Sequence, residues 1–549
     1  MNTFHKDASV VGTKSPYARR SIAKAVITLS LLVPTLLLFA APARATTIYV
    51  SQSGGTFSGG SACNGQTAIS ASTFNATTLT AGDTVYLCGT ITTALTNSSS
   101  GTSGSKITIQ WDSGASLSVC STTGAIQPSG SYLIFDLGRN SSAITCPNNG
   151  TGLSTSIVAM GINNRAGSLS NIEVRNGTIG PLYVRSSGDL GTGGGGSTAI
   201  YQFGGGGNHY HHLTIHDSEF AINDQIQNTI SGDEIDHLTI TNAAEGIWYA
   251  CGTSPCTSTG AKIHDNNYTP TQLWASTSNS FHAELLHIYS NGSGTSISGV
   301  LVYNNTCQAG SGWPYSNGTM NGTACLFAEA AVSGGTTQGY MFNNLVVFNG
   351  SGHFPGDGAI LIYSHGNNWG LYNNTIDCQS NTNGEGQGIE IDGGTGEVYD
   401  LRNNIIMNCN TAIMNSGSGG TYTGDRNDYY NIGGGGWMWN GNTESTLAAW
   451  KSASGIDSNA STNSPGLNSS YMISSTTSWA YSAHSGGDNL TSLGVTQLDT
   501  GAPATFGASG ACGSSCTARA SSGAWDLGVY PGSAVAAPNP PTNLTATPH

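Results

Sequence analysis

"LYNNTIDC", residues 371–378, puts two asparagines between apolar residues that otherwise read as strand. Asparagine is depleted from strands because its amide competes with the backbone for hydrogen bonds. Close copies stand elsewhere: "VYNNTC" from 302, "MFNNLV" from 341 and "LRNNII" from 401. Aligned on the pattern apolar-x-[Asn/Asp], the third position falls at Asn176, Asp217, Asn242, Asp265, Asn304, Asn343, Asn373 and Asn403, with a weaker copy at Asn427. The intervals are 41, 25, 23, 39, 39, 30, 30 and 24 residues. A period of roughly 22 to 30 residues, lengthened where loops are inserted, marks a solenoid. The units hold runs such as "HLTIHD", "GVLVYNN" and "GAILIY", which are rich in β-branched residues, alternate in polarity and are punctuated by Gly and Asn. Between residues 46 and 540 the best helical candidate is "TESTLAAWKSA" (443–453). Strands and turns repeated one coil above another describe a parallel β-helix. In such a stack equivalent residues lie about 4.8 Å apart. Asparagine tolerates the left-handed conformation, and its amide can bond the amides above and below. Asn304, Asn343, Asn373 and Asn403 are therefore expected to form a structural ladder rather than an active site.

The ends and the composition bound the setting. Arg19, Arg20 and Lys24 precede the apolar run "AVITLSLLVPTLLLFA" (25–40), and Ala43-Arg44-Ala45 fits a small-x-small cleavage site. Residues 1–45 read as a signal peptide cleaved near Ala45, so the mature chain is expected to be secreted. The paired arginines leave the general and twin-arginine routes both open, and no later stretch is apolar enough to span a membrane. Removing 1–45 takes six Lys/Arg and one acid from totals of 16 and 30, leaving 10 basic against 29 acidic residues, a net −19. Such a charge is poorly suited to phosphate backbones, so no nucleic-acid partner is expected. It also disfavours a strongly anionic polymer unless metal ions offset it. The twelve cysteines all lie in the mature part and imply disulfides in an exported chain. Sequence does not fix their pairing, but close pairs are 63/88, 120/146, 251/256, 307/325, 378/409 and 512/516. None has a zinc-site spacing.

Several stretches carry a resemblance. "TIYVSQSGG" (47–55), "LTAGDTVYLCGTIT" (79–92) and "SGSKITIQ" (103–110) look like the opening coils of the right-handed parallel β-helix, pectate-lyase-like superfamily. "LAAWKSASGIDSNASTNSPGL" (447–467) and "AWDLGVYPG" (524–532) resemble the tail of its secreted bacterial members. The implied fold is all-β: a right-handed single-stranded parallel β-helix with an N-terminal cap and an irregular C-terminal tail. The expected organisation is a cap and first coils at 46–165, the stack at 166–430, an irregular region at 431–535, and a Pro-rich linker at 536–549 that resembles the start of a fibronectin type III domain. Residues 191–212, 250–262 and 310–323 read as lateral loops.

The resemblance implies chemistry on the outer face of one sheet. Taking the strand that precedes each asparagine turn and requiring alternation, Phe281 and Ala283 point inward and leave His282 and Glu284 outside. In "CLFAEA" the outward pair is Phe327 and Glu329. In "AILIYSH" Ile360 and Ile362 face in, with Tyr363 and His365 out. In "GIEID" Ile389 and Ile391 face in, with Glu390 and Asp392 out. Glu284, Glu329, His365, Glu390 and Asp392 are thus the candidate catalytic groups, and His282, Phe327 and Tyr363 the candidate substrate contacts. Carboxylates on neighbouring coils suit glycoside hydrolysis. Alternatively Glu329, Glu390 and Asp392 could hold Ca2+, which would neutralise a uronate while His365, His282 or Tyr363 removes a proton in a lyase reaction. The third reading is a non-catalytic carbohydrate-binding or adhesin-like surface. All three make a polysaccharide the partner of a chain expected to be monomeric.

The departures from known members are specific. The chain lacks the Asn-x-Asp, Asp-Asp and Arg-x-Lys of polygalacturonases. "EIDHLTIT" (234–241) echoes a pectate-lyase strand, but no Arg-x-x-Arg follows it. Arg402 reads as structural beside the ladder. "NHYHHLTIHD" (208–217) reads mainly as loop, with a metal or groove role for His209, His211 and His212 as the alternative, while His216 and His237 read as turn-ladder members.

Overall fold

The computed structural model describes residues 44–147, 157–163, 169–183, 197–269, 284–309, 324–332, 334–348, 358–363, 367–379, 386–417, 419–473, 486–499, 518–519 and 521–529. The signal segment up to residue 43, His282, His365, the Cys512/Cys516 pair, the 310–323 loop and the linker lie outside these residues. The fold is the expected right-handed parallel β-helix. The strands are parallel from coil to coil, apart from antiparallel pairs at Ser53–Thr56 with Thr67–Ser70 and at Gly436–Trp439 with Asn442–Glu444.

Each coil of the stack contributes to three sheets. The first holds the strands that end at the asparagine turn, such as Thr295–Tyr303, Thr336–Phe342, Asn367–Tyr372 and Val398–Arg402. The second holds the short strands just after it, including Thr306–Ala309, Leu345–Phe348, Thr375–Asp377 and Ile405–Met407. The third holds Glu284–Asn291, Leu326–Val332, Gly358–Tyr363 and Gln387–Asp392. The acid-bearing strands are therefore not the ones directly before the asparagine turn, as the sequence pattern suggested. They lie one strand earlier and form a sheet of their own. The alternation read from Ile360, Ile362, Ile389 and Ile391 holds, since all four are fully buried in the core.

The two asparagines divide the work. Asn304, Asn343, Asn373 and Asn403 take the left-handed turn, with φ of 55°, 53°, 52° and 61°. The amide ladder belongs to their successors. Asn305 Nδ2 donates to Asn344 Oδ1 (3.1 Å), Asn344 to Asn374 (3.0 Å), Asn374 to Asn404 (3.0 Å) and Asn404 to Asn427 (2.9 Å). Asn266 begins the run at 3.0 Å to Asn305, and Asn427 passes it to Asp457 at 2.8 Å. Each Oδ1 also accepts the backbone N–H of the preceding rung, as Asn374 does from Asn344 (3.1 Å). Each Nδ2 reaches a strand carbonyl too, as Asn374 does to Met341 (2.9 Å). The expected ladder of first asparagines is bridged at one step, Asn403 Nδ2 to Asn373 Oδ1 (3.3 Å), while the continuous run belongs to the second asparagines. The first asparagine supplies φ > 0, and the second, whose side chain points inside, satisfies the backbone groups a tight turn leaves buried.

Three of the markers also move. His211 pairs with Asp236 and Asp236 with His264, so the left-handed column runs through Asn176, His212, His237 and Asp265. Asp217 (φ 52°) and Asn242 (φ 52°) close the next strand round the coil instead. At the top of the column the left-handed residue is Arg426 (φ 59°), and Asn427 is a ladder residue. The pattern catches either side of a turn because Asn and Asp favour both.

The helix Ala71–Ala76 buries Ala71 and Phe74 at the start of the stack, with Ser70 Oγ accepting from Thr73 N (3.1 Å) as its N-cap. Leu447–Ser454 covers the far end, overlapping the stretch expected to be helical (443–453). Its buried Trp450 donates to Asp457 Oδ2 (2.9 Å). Capping both ends removes the exposed coil edges that a solenoid otherwise offers. The tail then returns along the stack: Leu490, Val495, Leu498 and Trp525 pack on Tyr303, Phe342 and Tyr372. Arg519 Nη2 donates to Asn343 Oδ1 (2.8 Å). Five disulfides form among the described residues, Cys63–Cys88, Cys120–Cys146, Cys251–Cys256, Cys307–Cys325 and Cys378–Cys409.

Two stretches read as loops contain strands. Ser197–Phe203 and His209–Gln225 run through and beyond the glycine-rich segment. A Cβ at Gly205 would sit 1.5 Å from Leu169 O, so this glycine serves close packing, not a free loop. Cys256–Thr259 pairs in register with Thr295–Ser298.

Asn374→Ala should remove four hydrogen bonds and orphan their partners inside the stack, costing about 2–4 kcal/mol. Asn343→Gly keeps the left-handed turn, gives up the bond from Arg519 to the Asn343 side chain, and should cost about 1 kcal/mol. Urea midpoints of the two variants should therefore differ clearly; equal losses would refute the division of roles.

Candidate active site on the third sheet

Outward-facing residues of the third sheet form two adjacent rows. One runs Trp248, His287, Phe327, Leu361 and Glu390. The other runs Tyr289, Glu329, Tyr363 and Asp392. Stacking coils brings aromatic rings over one another. Phe220 lies over Trp248 at 5.6 Å, Trp248 over His287 at 6.3 Å, and His287 over Phe327 at 4.3 Å with 13° between planes.

His287 joins two carboxylates. Its Nδ1 lies 3.2 Å from Glu284 Oε1 and its Nε2 3.1 Å from Glu329 Oε2. On a regular strand residues three apart point to opposite faces. A bulge restores them to one side: the amides of both Leu285 and Leu286 donate to Cys325 O, at 3.0 and 3.1 Å, and both leucines enter the core. This bulge is also why alternation counted from Phe281 misses His287. The consecutive leucines are the signal that could have found it.

Behind His287 lies a row of acids at the starts of the strands. Glu245 pairs in register with Glu284, and Glu245, Glu284 and His287 each present a ligand atom within 4.8 Å of the others. Burial raises the Glu245 carboxyl well above the usual range, and the charges of Glu284 and Glu219 add to it. Glu219, on the coil before, is pushed up to about 8 by burial. Neither of its carboxylate oxygens has a partner among the described residues. For His287, burial alone would lower the pKa, but hydrogen bonds and charge from Glu284 and Glu329 outweigh it and raise it. Like charges crowded in a low-dielectric site are relieved by protonation, which favours the protonated forms of Glu219 and Glu245.

The sequence-derived residues are distributed as follows. Glu284 and Glu329 meet at His287, and Glu284 is fully enclosed. Phe327 is covered, packing on Ala324 and Leu361 as well as on His287. Tyr363 is 44% exposed, the most open aromatic of the face. Glu390 lies three coils beyond His287 in its row, where its Oε2 accepts the Gly358 N–H at 3.1 Å. Asp392 lies two coils from Glu329, with Tyr363 between them. The structure therefore does not gather Glu329, Glu390 and Asp392 around one point. The trio that could hold a cation on this face is Glu245, Glu284 and His287. Glu219 and Glu245 escaped the sequence reading because their units, "SEFAIND" and "EGIWYA", start without the asparagine doublet that set the phase.

No family model matches the chain, and no curated protein matches it. Among solved structures, it is similar to an alginate lyase from Paenibacillus sp. str. FPU-7 at 14% identity and TM-score 0.35, covering 72% of this chain and 98% of that one. It is similar to the tailspike protein of E. coli bacteriophage HK620, solved with a pentasaccharide, at 12% identity and TM-score 0.33, covering 66% and 72%. Pectate lyase Pel9A is similar at 16% identity and TM-score 0.28, covering 59% and 78%. These are likenesses of coil architecture only.

An acid whose folded pKa is raised stabilises the fold at low pH and loses that contribution as pH rises. For Glu219 the unfolded chain ionises near 4.5 while the native state holds its proton to about 8, so stability falls between these values. Glu219→Gln should flatten that decline in a series of urea melts; an unchanged slope would remove Glu219 as its source.

Proposed function

We propose that this chain is an exported, monomeric glycoside hydrolase acting on a polysaccharide of low charge along the third sheet. The observation that supports it is the juxtaposition of a buried row of carboxyls with raised pKa values and a carboxylate, Glu329, linked to it through His287. Glycoside hydrolysis needs a carboxylic acid that protonates the leaving oxygen and a second carboxylate that attacks the anomeric carbon or activates water. Glu245, kept protonated by burial and by its acidic neighbours, suits the first role. Glu329, on the next coil but one, suits the second. Glu284 holds the imidazole that positions Glu329. Tyr363, with half-buried Tyr289, offers ring faces for sugars to stack on. Glu390 and Asp392 would extend the polar lining along the sheet.

Elimination is less well supported. Both nitrogens of His287 already face carboxylates, so it has no free lone pair to remove a proton. None of the described residues of the third sheet is Lys or Arg to pair with a uronate. Export agrees with five disulfides, which persist in oxidising compartments. No helix among the described residues is long and apolar enough to cross a membrane.

Incubation with neutral and uronate-containing polysaccharides, with and without EDTA, should release new reducing ends from a neutral polymer and no ultraviolet-absorbing unsaturated product. Glu329→Gln and Glu245→Gln should each lower kcat/KM by about 100-fold or more. An unsaturated product would point to a lyase, and binding without cleavage to an adhesin-like role.

A further inference from the structure

A second constellation lies on the outer face of the first sheet, away from the carboxylate row. His209 pairs in register with Glu234, and His211 with Asp236, which in turn pairs with His264. The next residues, His212 and His237, form the left-handed turns of their coils, with φ of 54° and 53°. Side chains that a sequence reading treats as a histidine-rich loop are thereby fixed on stacked strands. His209 and His211 stack at 4.0 Å between centroids, and His212 stacks on His237 at 4.6 Å. His209 Nε2 lies 2.8 Å from Asp236 Oδ1, and His211 Nδ1 lies 2.8 Å from His212 Nδ1.

We infer that this cluster binds one borderline divalent transition ion, of the class of Zn2+ or Co2+, through His209, His211 and Asp236, with His212 as a fourth donor. His209, His211 and Asp236 each offer a ligand atom, and all three atoms lie within 4.8 Å of one another, so small side-chain rotations bring them round a common centre. Two imidazole nitrogens 2.8 Å apart cannot both carry protons. At least one must present a lone pair, the state in which imidazole binds metal. Asp236 supplies one anionic oxygen, and its other oxygen, Oδ2, is held by His237 Nδ1 at 2.7 Å. A ligating carboxylate oriented by an outer hydrogen bond is the usual supporting arrangement of a metal centre. His237 Nε2, buried beside the cluster, has no partner among the described residues. Nitrogen donors with a single carboxylate favour Zn2+, Co2+ or Ni2+ over Ca2+ or Mg2+, which prefer all-oxygen sets. The inference does not depend on the hydrolase reading, because the residues and the sheet are different.

The test uses the full secreted chain, stripped with EDTA, desalted and titrated with Co2+. One equivalent should produce visible ligand-field absorption that Zn2+ abolishes and Ca2+ does not. His209→Gln should weaken Co2+ binding by at least about tenfold, and the His209→Gln, His211→Gln double variant should lose the bands. Glu245→Gln should leave them intact, which separates this centre from the acidic trio of the third sheet. His209 is 35% exposed in its side chain, so its single variant should fold even if the double variant does not. Absence of bands at millimolar Co2+, or bands that survive His209→Gln at unchanged affinity, would overturn the assignment. Bands that vanish in Glu245→Gln instead would place the metal on the other sheet and do the same.

Discussion

The amide ladder running from Asn266 to Asp457 is the interaction on which the rest of the molecule rests. A coil must turn sharply between the first and second sheets, and such a turn buries peptide groups that no strand partner can reach. An unpaired buried N–H or C=O costs about as much as a lost hydrogen bond, and every coil would incur it. One side-chain amide, with two donors and an acceptor of two lone pairs, meets the need at each level and hands its own carbonyl to the rung before it. The ladder therefore fixes coil spacing and rotational register together. A slip of one residue would turn the core faces of all three sheets outward.

That register is what lets side chains far apart in sequence become a site. Phe220, Trp248, His287 and Phe327 come from four coils, yet their rings overlap because strand spacing is constant. The same spacing sets Glu245 against Glu284 without any loop having to fold correctly. The cost is electrostatic. Parallel in-register stacking puts like residues over like, and stacked acids repel unless they take up protons or find cations. On the third sheet protonation and the His287 bridge absorb the repulsion. On the first sheet, Glu173 is drawn well below the usual carboxylate range by the His211 hydrogen bond against the opposing effect of burial, with further help from Lys106 and Arg175.

The fold was legible in the sequence because its determinants are local and repeated. The asparagine doublets, the alternation in "AILIY" and "GIEID", and the near cysteine pairs each report one coil at a time. The left-handed column was only partly legible, since Asp217 and Asn242 close a different strand while His212 and His237 occupy the expected turns. In the sequence His237 reads as a turn residue and it takes φ 53°, whereas His212 reads as loop and occupies the same kind of turn. The site was less legible still. Its centre, His287, depends on a bulge that breaks the alternation used to find outward residues. Glu219 and Glu245 come into view only when strands 25 to 40 residues apart are laid side by side, a step that needs the inserted loop lengths.

The buried acids also separate structure from function as explanations. A ladder built for stability alone would place Gln or Asn at 219 and 245, as the turns do at 305, 344, 374 and 404. Those residues satisfy buried partners without a charge to suppress. Glu219 instead leaves both carboxylate oxygens without a partner among the described residues, in a place that pushes its pKa to about 8. A neutral amide of the same shape would be more stable there at neutral pH, because the unfolded chain ionises a glutamate and the native chain cannot. What glutamate offers that glutamine cannot is a transferable proton. Under the hydrolase proposal this strain serves the chemistry, since Glu219 lies one coil from Glu245.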